Sequence, residues 1–142
     1  MTIQEIQNEI VADFSLFDNW EERYNYMIDL GKSLPLIDSK YKDEQHLIKG
    51  CQSQVWLHAE LKDTKVILTA DSDAIITKGI IAILIRIFSG QTPEDILSVD
   101  MQFIDTIGLK EHLSPTRANG LVSMIQQIKL YAKAFQTLNN SK

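Results

Sequence analysis

A single cysteine in 142 residues removes several chemistries at once. Cys51 has no second thiol with which to form an intramolecular disulfide. Alone it cannot supply a cysteine-rich zinc site or hold an iron–sulfur cluster, which takes several ligands, mostly thiolates. A Cys-X-X-Cys redox pair is excluded for the same reason. The chain also lacks a basic excess. Its net charge of −5 argues against non-specific binding to nucleic acid or to an anionic membrane, both of which need a basic face. It lacks a long apolar run: the stretch Gly79–Ile85, flanked by Lys78 and Arg86, falls short of the roughly 18–20 residues that span a bilayer and reads as a buried central helix. The first residues carry no basic segment followed by an apolar one, so no secretory signal is expected, and the compartment expected is the cytoplasm. Internal repeats, low-complexity tracts and interdomain linkers are absent. Hydrophobic residues at 44% and charged residues at 23% are ordinary for a folded soluble protein, and the length suits one domain spanning 1–142.

The pattern of apolar residues changes period along the chain. Ile3, Ile6, Ile10 and Phe14 predict a helix over about Thr2–Phe14. Asp18, with Glu21 three residues later, resembles a capping box at the start of a second helix, whose apolar face is Trp20, Tyr24, Met27, Ile28 and Leu30 and whose end is set by Gly31 and Pro35. A polar loop follows to Gln45. Val55, Leu57, Ala59 and Leu61 then alternate with Gln54, Trp56, His58 and Glu60, a strand pattern. Lys62-Asp63-Thr64 reads as a turn, Val66–Leu68 as a second strand and His46–Ile48 as a short third one. Asp71-Ser72-Asp73 offers caps for a helix over about Ala74–Phe88. Thr92-Pro93 starts a short helix to about Ser98, another is expected near 101–107, and Ser114-Pro115-Thr116-Arg117 opens the last, with Leu121, Ile125, Ile128, Ala132 and Phe135 on one face. The class expected is α+β: a small antiparallel sheet of about three strands packed against helices.

A lone cysteine is most often an inert small hydrophobe. The surroundings of Cys51 point elsewhere. Gly50 permits a tight turn with positive φ. Gln52, Ser53 and Gln54 are polar, so the thiol sits in a connection beside a strand rather than in a core stretch. Such a thiol needs neither metal nor cofactor for exchange chemistry, in which a thiolate attacks a sulfur and a thiolate leaves. His58 shares a strand face with Gln54 and Trp56, and a Cys51–His58 nucleophile–base pair is the enzyme alternative; it has no evident third member. His46, His58 and His112 show no metal-ligand spacing.

The run Gly50-Cys51-Gln52-Ser53-Gln54-Val55-Trp56 resembles the signature of the SufE sulfur-acceptor family. Further segments resemble that family in the same order: Asn19–Tyr24 with Leu30–Pro35, Asp71–Ala74 with Lys78-Gly79, and Leu113–Arg117 with Gly120-Leu121. The resemblance covers about Asp18 to Phe135. It implies a fold like that of the NifU/IscU scaffold proteins, but with one cysteine the chain is expected to carry sulfur rather than assemble clusters. It implies that a SufS-type cysteine desulfurase passes persulfide sulfur to Cys51 and is thereby stimulated, and that the sulfur goes on to a SufBCD-type scaffold for iron–sulfur cluster assembly. The protein is then an accessory to catalysis, without a cofactor of its own; pyridoxal phosphate belongs to the desulfurase. Around Cys51 the expected support is Gly50, Gln52, Ser53 and Gln54, with Trp56 half core and half cover for the cysteine loop. Arg117, which the helix dipole disfavours in a first turn, is expected near Cys51 or at the desulfurase interface. Asp71 and Asp73 are expected as helix caps, Asp73 with a further chance of meeting the partner. A cysteine loop that is tucked in at rest and presented on docking would reconcile shielding with transfer.

Overall fold

The computed structural model describes residues 1–100, 102–109, 111 and 113–140, the side chains of residues 103, 107, 139 and 140 excepted. His112 and the expected helix start at Met101 lie outside the described residues. Helix α1 (Ile3–Ser15) begins in a capping box made by Thr2 and Glu5, each side chain bonding the other's backbone N–H. Helix α2 (Trp20–Lys32) is capped by Asn19, whose side chain accepts from the Glu22 N–H. The expected box at Asp18 and Glu21 is therefore displaced by one residue: Asn19 holds the extended conformation an N-cap needs, and Asp18 instead donates its N–H to the Glu22 carboxylate.

Strands β1 (Val55–Lys62) and β2 (Lys65–Ser72) form an antiparallel hairpin pairing Val55 with Ser72 through Lys62 with Lys65. The two-residue turn places Asp63 at φ 58°, a left-handed conformation that aspartate tolerates. On β1 the side chains of Val55, Leu57 and Ala59 are buried, and those of Trp56, His58 and Glu60 face the other way. The sheet has two strands, not three. Residues 46–48 run along β1 but make only a single bridge, Leu47 with Trp56, closed by Ile48 N–H to Val55 O and Leu57 N–H to His46 O. The segment turns away at Gly50 too soon to become a strand.

Helix α3 (Ile75–Phe88) is buried nearly all round, from Ile80 through Phe88, with Arg86 only partly covered. Such a helix has no polar face because neighbours cover every side. Here α1, α2 and β2 pack on it, with the long C-terminal helix against its far flank. Its contact with α2 is backbone on backbone. A Cβ at Gly31 would sit 3.1 Å from the Gly79 nitrogen, and a Cβ at Gly79 would run into the Met27 carbonyl oxygen. Gly31 thus lies buried inside α2 and serves this contact; the helix ends later, at Ser33. The α3 N-cap is Ala74, without a side-chain hydrogen bond. Asp71 and Ser72 belong to β2, so the expected aspartate caps do not form.

Helices α4 (Pro93–Leu97, capped by Thr92), α5 (Gln102–Ile107) and α6 (Pro115–Asn140) complete the chain. Leu121, Met124, Ile128 and Ala132 bury one face of α6 in the hydrophobic cluster shared by all these elements. The α+β class is as expected from the sequence. None of the described helices is long and apolar enough to cross a membrane.

Candidate functional site

Three elements converge on Cys51. The turn after Ile48 carries it, with Gly50 at φ 94°. An L-residue is strained there, and a Cβ on Gly50 would meet the Ser123 hydroxyl of α6. The first turns of α3 and α6 supply the walls. Cys51 Sγ points at α6 and donates to the Gly120 carbonyl at 3.7 Å. A Cβ on Gly120 would lie 3.4 Å from that sulfur, at the near edge of ordinary van der Waals contact.

Beside the sulfur is a pocket of about 70 Å³, bounded by Gln52 and Ser53 of the turn, Thr77 and Ile80 of α3, and Thr116, Arg117 and Met124 of α6. A volume of that size admits a few water-sized atoms beside Sγ and is far below the several hundred Å³ of small-molecule pockets. Cys51 is half-buried, and burial pushes its thiol pKa up. The charged form is the one burial disfavours, so in this arrangement the sulfur is held as a neutral thiol.

The loop is fastened at its far end. Gln54 N–H donates to the Asp73 carboxylate at 3.0 Å, Asp73 N–H donates to Gln54 O at 3.3 Å, and the Ser72 hydroxyl donates to the same carbonyl at 2.8 Å. Asp73 is thus a fastener of the cysteine loop. Asp71 lies between Lys42 at 2.5 Å and Lys78 at 3.3 Å, which together with the Ser72 N–H hold its carboxyl below the usual range against a contrary desolvation effect.

Of the residues singled out from sequence, Gly50, Cys51, Gln52, Ser53 and Gln54 form the loop, and Arg117 lines the mouth of its pocket. The Arg117 N–H donates to Ser114 Oγ, which caps the turn, while its side chain is exposed. Desolvation is the cause of the Cys51 shift, so Arg117 does not offset it in this conformation. Trp56 is not part of the pocket. It lies on the outer side of β1, under Lys42 at 5.5 Å, because the period of two that buries Val55 and Leu57 turns Trp56 away. His58 is on that outer side too. Its ring bonds His46 at 3.2 Å and Glu60 at 3.1 Å and stacks on Tyr41, none of which touches the cysteine pocket, so the Cys51–His58 pair is not formed. Thr77, Ile80, Gly120 and Met124 escaped the sequence reading as site residues; only the place of Gly120 shortly after Arg117 hinted at it.

Comparison with known proteins adds the family. Residues 8–132 match the SufE domain, described as an Fe-S metabolism associated domain. An uncharacterized SufE-like protein of Rhizobium meliloti (strain 1021) is 43% identical over 131 residues, covering 89% of this chain and 94% of that protein. The solution structure of a hypothetical protein from Thermus thermophilus superposes with a TM-score of 0.78 at 22% identity, over 93% of this chain and 96% of that one; at such identity it speaks for the fold alone. The chain belongs to the SufE family, whose domain is associated with iron–sulfur metabolism.

Proposed function

We propose that the protein is a sulfur carrier that accepts sulfane sulfur on Cys51 from a SufS-type cysteine desulfurase and passes it to a SufBCD-type scaffold for iron–sulfur cluster assembly. The observation that carries this reading is a single half-buried thiol opening onto a small pocket of about 70 Å³. In the accepting step the Cys51 thiolate attacks the outer sulfur of the donor's persulfide. The donor's S–S bond breaks, a new S–S bond forms on Cys51, and the donor thiolate leaves. No net oxidation occurs, and the exchange needs only the two sulfurs. Clearing the persulfide lets the desulfurase turn over, so the acceptor stimulates it. Pyridoxal phosphate serves the desulfurase, and this chain is an accessory without a catalytic turnover of its own. Because burial keeps Cys51 protonated at rest, docking must expose the thiol or bring a cation to it before it can attack. Arg117, which lines the rim of the pocket, supports this reading as a cation near the thiol. A reducing compartment such as the cytoplasm, where thiols stay reduced, suits this chemistry.

Intact mass after mixing with a competent desulfurase, pyridoxal phosphate and free cysteine tests the reading. The expected result is a gain of about one sulfur atom, removed by reductant and absent in Cys51→Ser, as persulfide exchange requires. An unchanged mass sinks the carrier role.

A further inference from the structure

On the far side of β1 from the cysteine pocket, two imidazoles face each other. His46 Nε2 and His58 Nδ1 are 3.2 Å apart. Each ring's other nitrogen meets a carboxylate: His46 Nδ1 with Asp43 at 2.8 Å and His58 Nε2 with Glu60 at 3.1 Å. Both imidazole side chains are only 17% exposed, and Tyr41 stacks on His58 with ring centroids 3.7 Å apart and planes within 8°. Ionised carboxylates only accept, so they claim the hydrogens on those outer nitrogens. With both outer hydrogens so claimed, the two inner nitrogens of the neutral rings carry lone pairs only 3.2 Å apart, a contact that a proton or a metal ion shared between them relieves.

We propose that His46 Nε2 and His58 Nδ1 are the protein ligands of a divalent, nitrogen-preferring metal ion of the Zn²⁺ class. A carboxylate on the far nitrogen of a ligating histidine fixes the tautomer and raises the basicity of the ligand, and here both rings have one. An ion about 2.05 Å from each nitrogen, the usual Zn–N distance, would subtend about 100° across the observed 3.2 Å gap, close to tetrahedral. Among the described residues no group of three or more His, Cys, Asp or Glu is placed to ligate one ion, so the site has two protein ligands and keeps its other positions for water or for a group from a second molecule. The ion would bolt residues 46–48, the incoming limb of the cysteine loop, to β1.

The test is titration of tag-free protein with Zn²⁺, followed by calorimetry and by imidazole ¹⁵N NMR. The expected result is one equivalent bound, with His46 Nε2 and His58 Nδ1 the nitrogens that shift. Cys51→Ser leaves the affinity unchanged. His58→Gln abolishes the site, and Asp43→Asn weakens it by about 10-fold or more. The NMR localisation is made on the unaltered chain and does not depend on any variant folding. Absence of binding up to about 1 mM Zn²⁺, or binding that follows Cys51 instead of the two histidines, overturns the proposal and leaves the facing nitrogens to share a proton.

Discussion

Two contacts in this molecule are built on glycine, and they differ in what the glycine faces. Gly31 and Gly79 bring α2 and α3 together backbone to backbone, with the Met27 carbonyl directly against the space a Cβ would fill. Gly50 and Gly120 bring the cysteine loop against α6, but there the opposing atoms are the Ser123 hydroxyl and the Cys51 thiol. Backbone inside a helix cannot yield; a hydroxyl or a thiol can rotate. The first contact sets backbone against backbone, and the second sets the cysteine loop against side-chain atoms of rotatable groups. The same residue type thus serves two junctions whose opposing atoms differ in their freedom to move.

Substitutions at these glycines sharpen the contrast. Gly79→Ala is expected to have the largest effect on stability, a loss of about 2–3 kcal/mol net of a helix-propensity gain of about 1 kcal/mol, read from urea unfolding. A loss below about 0.5 kcal/mol would mean the helix pair is as adjustable as the loop. Gly50→Ala comes next, at about 1–2 kcal/mol for forcing an L-residue to a left-handed φ, and its distinguishing sign is faster alkylation of Cys51 as the loop lifts from α6. The smallest effect is the pH dependence of the thiol. Burial raises the Cys51 pKa above its unfolded value, so folding favours the protonated form. That contribution is complete below the unfolded pKa and is lost as pH climbs through the folded one. Stability of the wild-type chain should therefore fall relative to Cys51→Ser as pH rises past about 8.5, and iodoacetamide alkylation should have its midpoint above that of a free cysteine. Parallel stability curves for the two proteins from pH 7 to 10 would show the thiol to be solvated at rest.

Elements with a strong period were legible from sequence, and so was the loop that carries Cys51. Alternation at Val55–Leu61 gave β1 and helical spacing gave α1 and α6, because each buries one residue set against the core, while α3 showed as an unbroken apolar run because neighbours cover it nearly all round. The capping signals were less certain guides. Asp18, Asn19, Asp71, Ser72 and Asp73 are all chemically able to cap, and only the local φ and ψ decide which one does; Ala74, with no capping side chain, took the α3 position because the aspartates were already engaged by Lys42, Lys78 and Gln54. The pocket itself was illegible for a different reason. Gly120 and Met124 reach Cys51 across about seventy residues of chain, through the docking of α6, and no local pattern records that meeting. Trp56 was misplaced by proximity in sequence: a strand turns neighbours to opposite faces, and being five residues from a cysteine does not put a side chain beside it.

The pairing of Ile48 with Val55 has a consequence for reach. It pins both ends of the cysteine turn to one spot, and the Asp73 bonds to Gln54 draw the knot tighter. What remains is a short tether that must go out and come back. At about 3.5 Å per extended residue, its tip travels no more than about 10 Å from the anchor. In the proposed carrier role the sulfur is then handed over at arm's length: a donor whose own sulfur lies deeper than that below its surface must bring it up to meet this one.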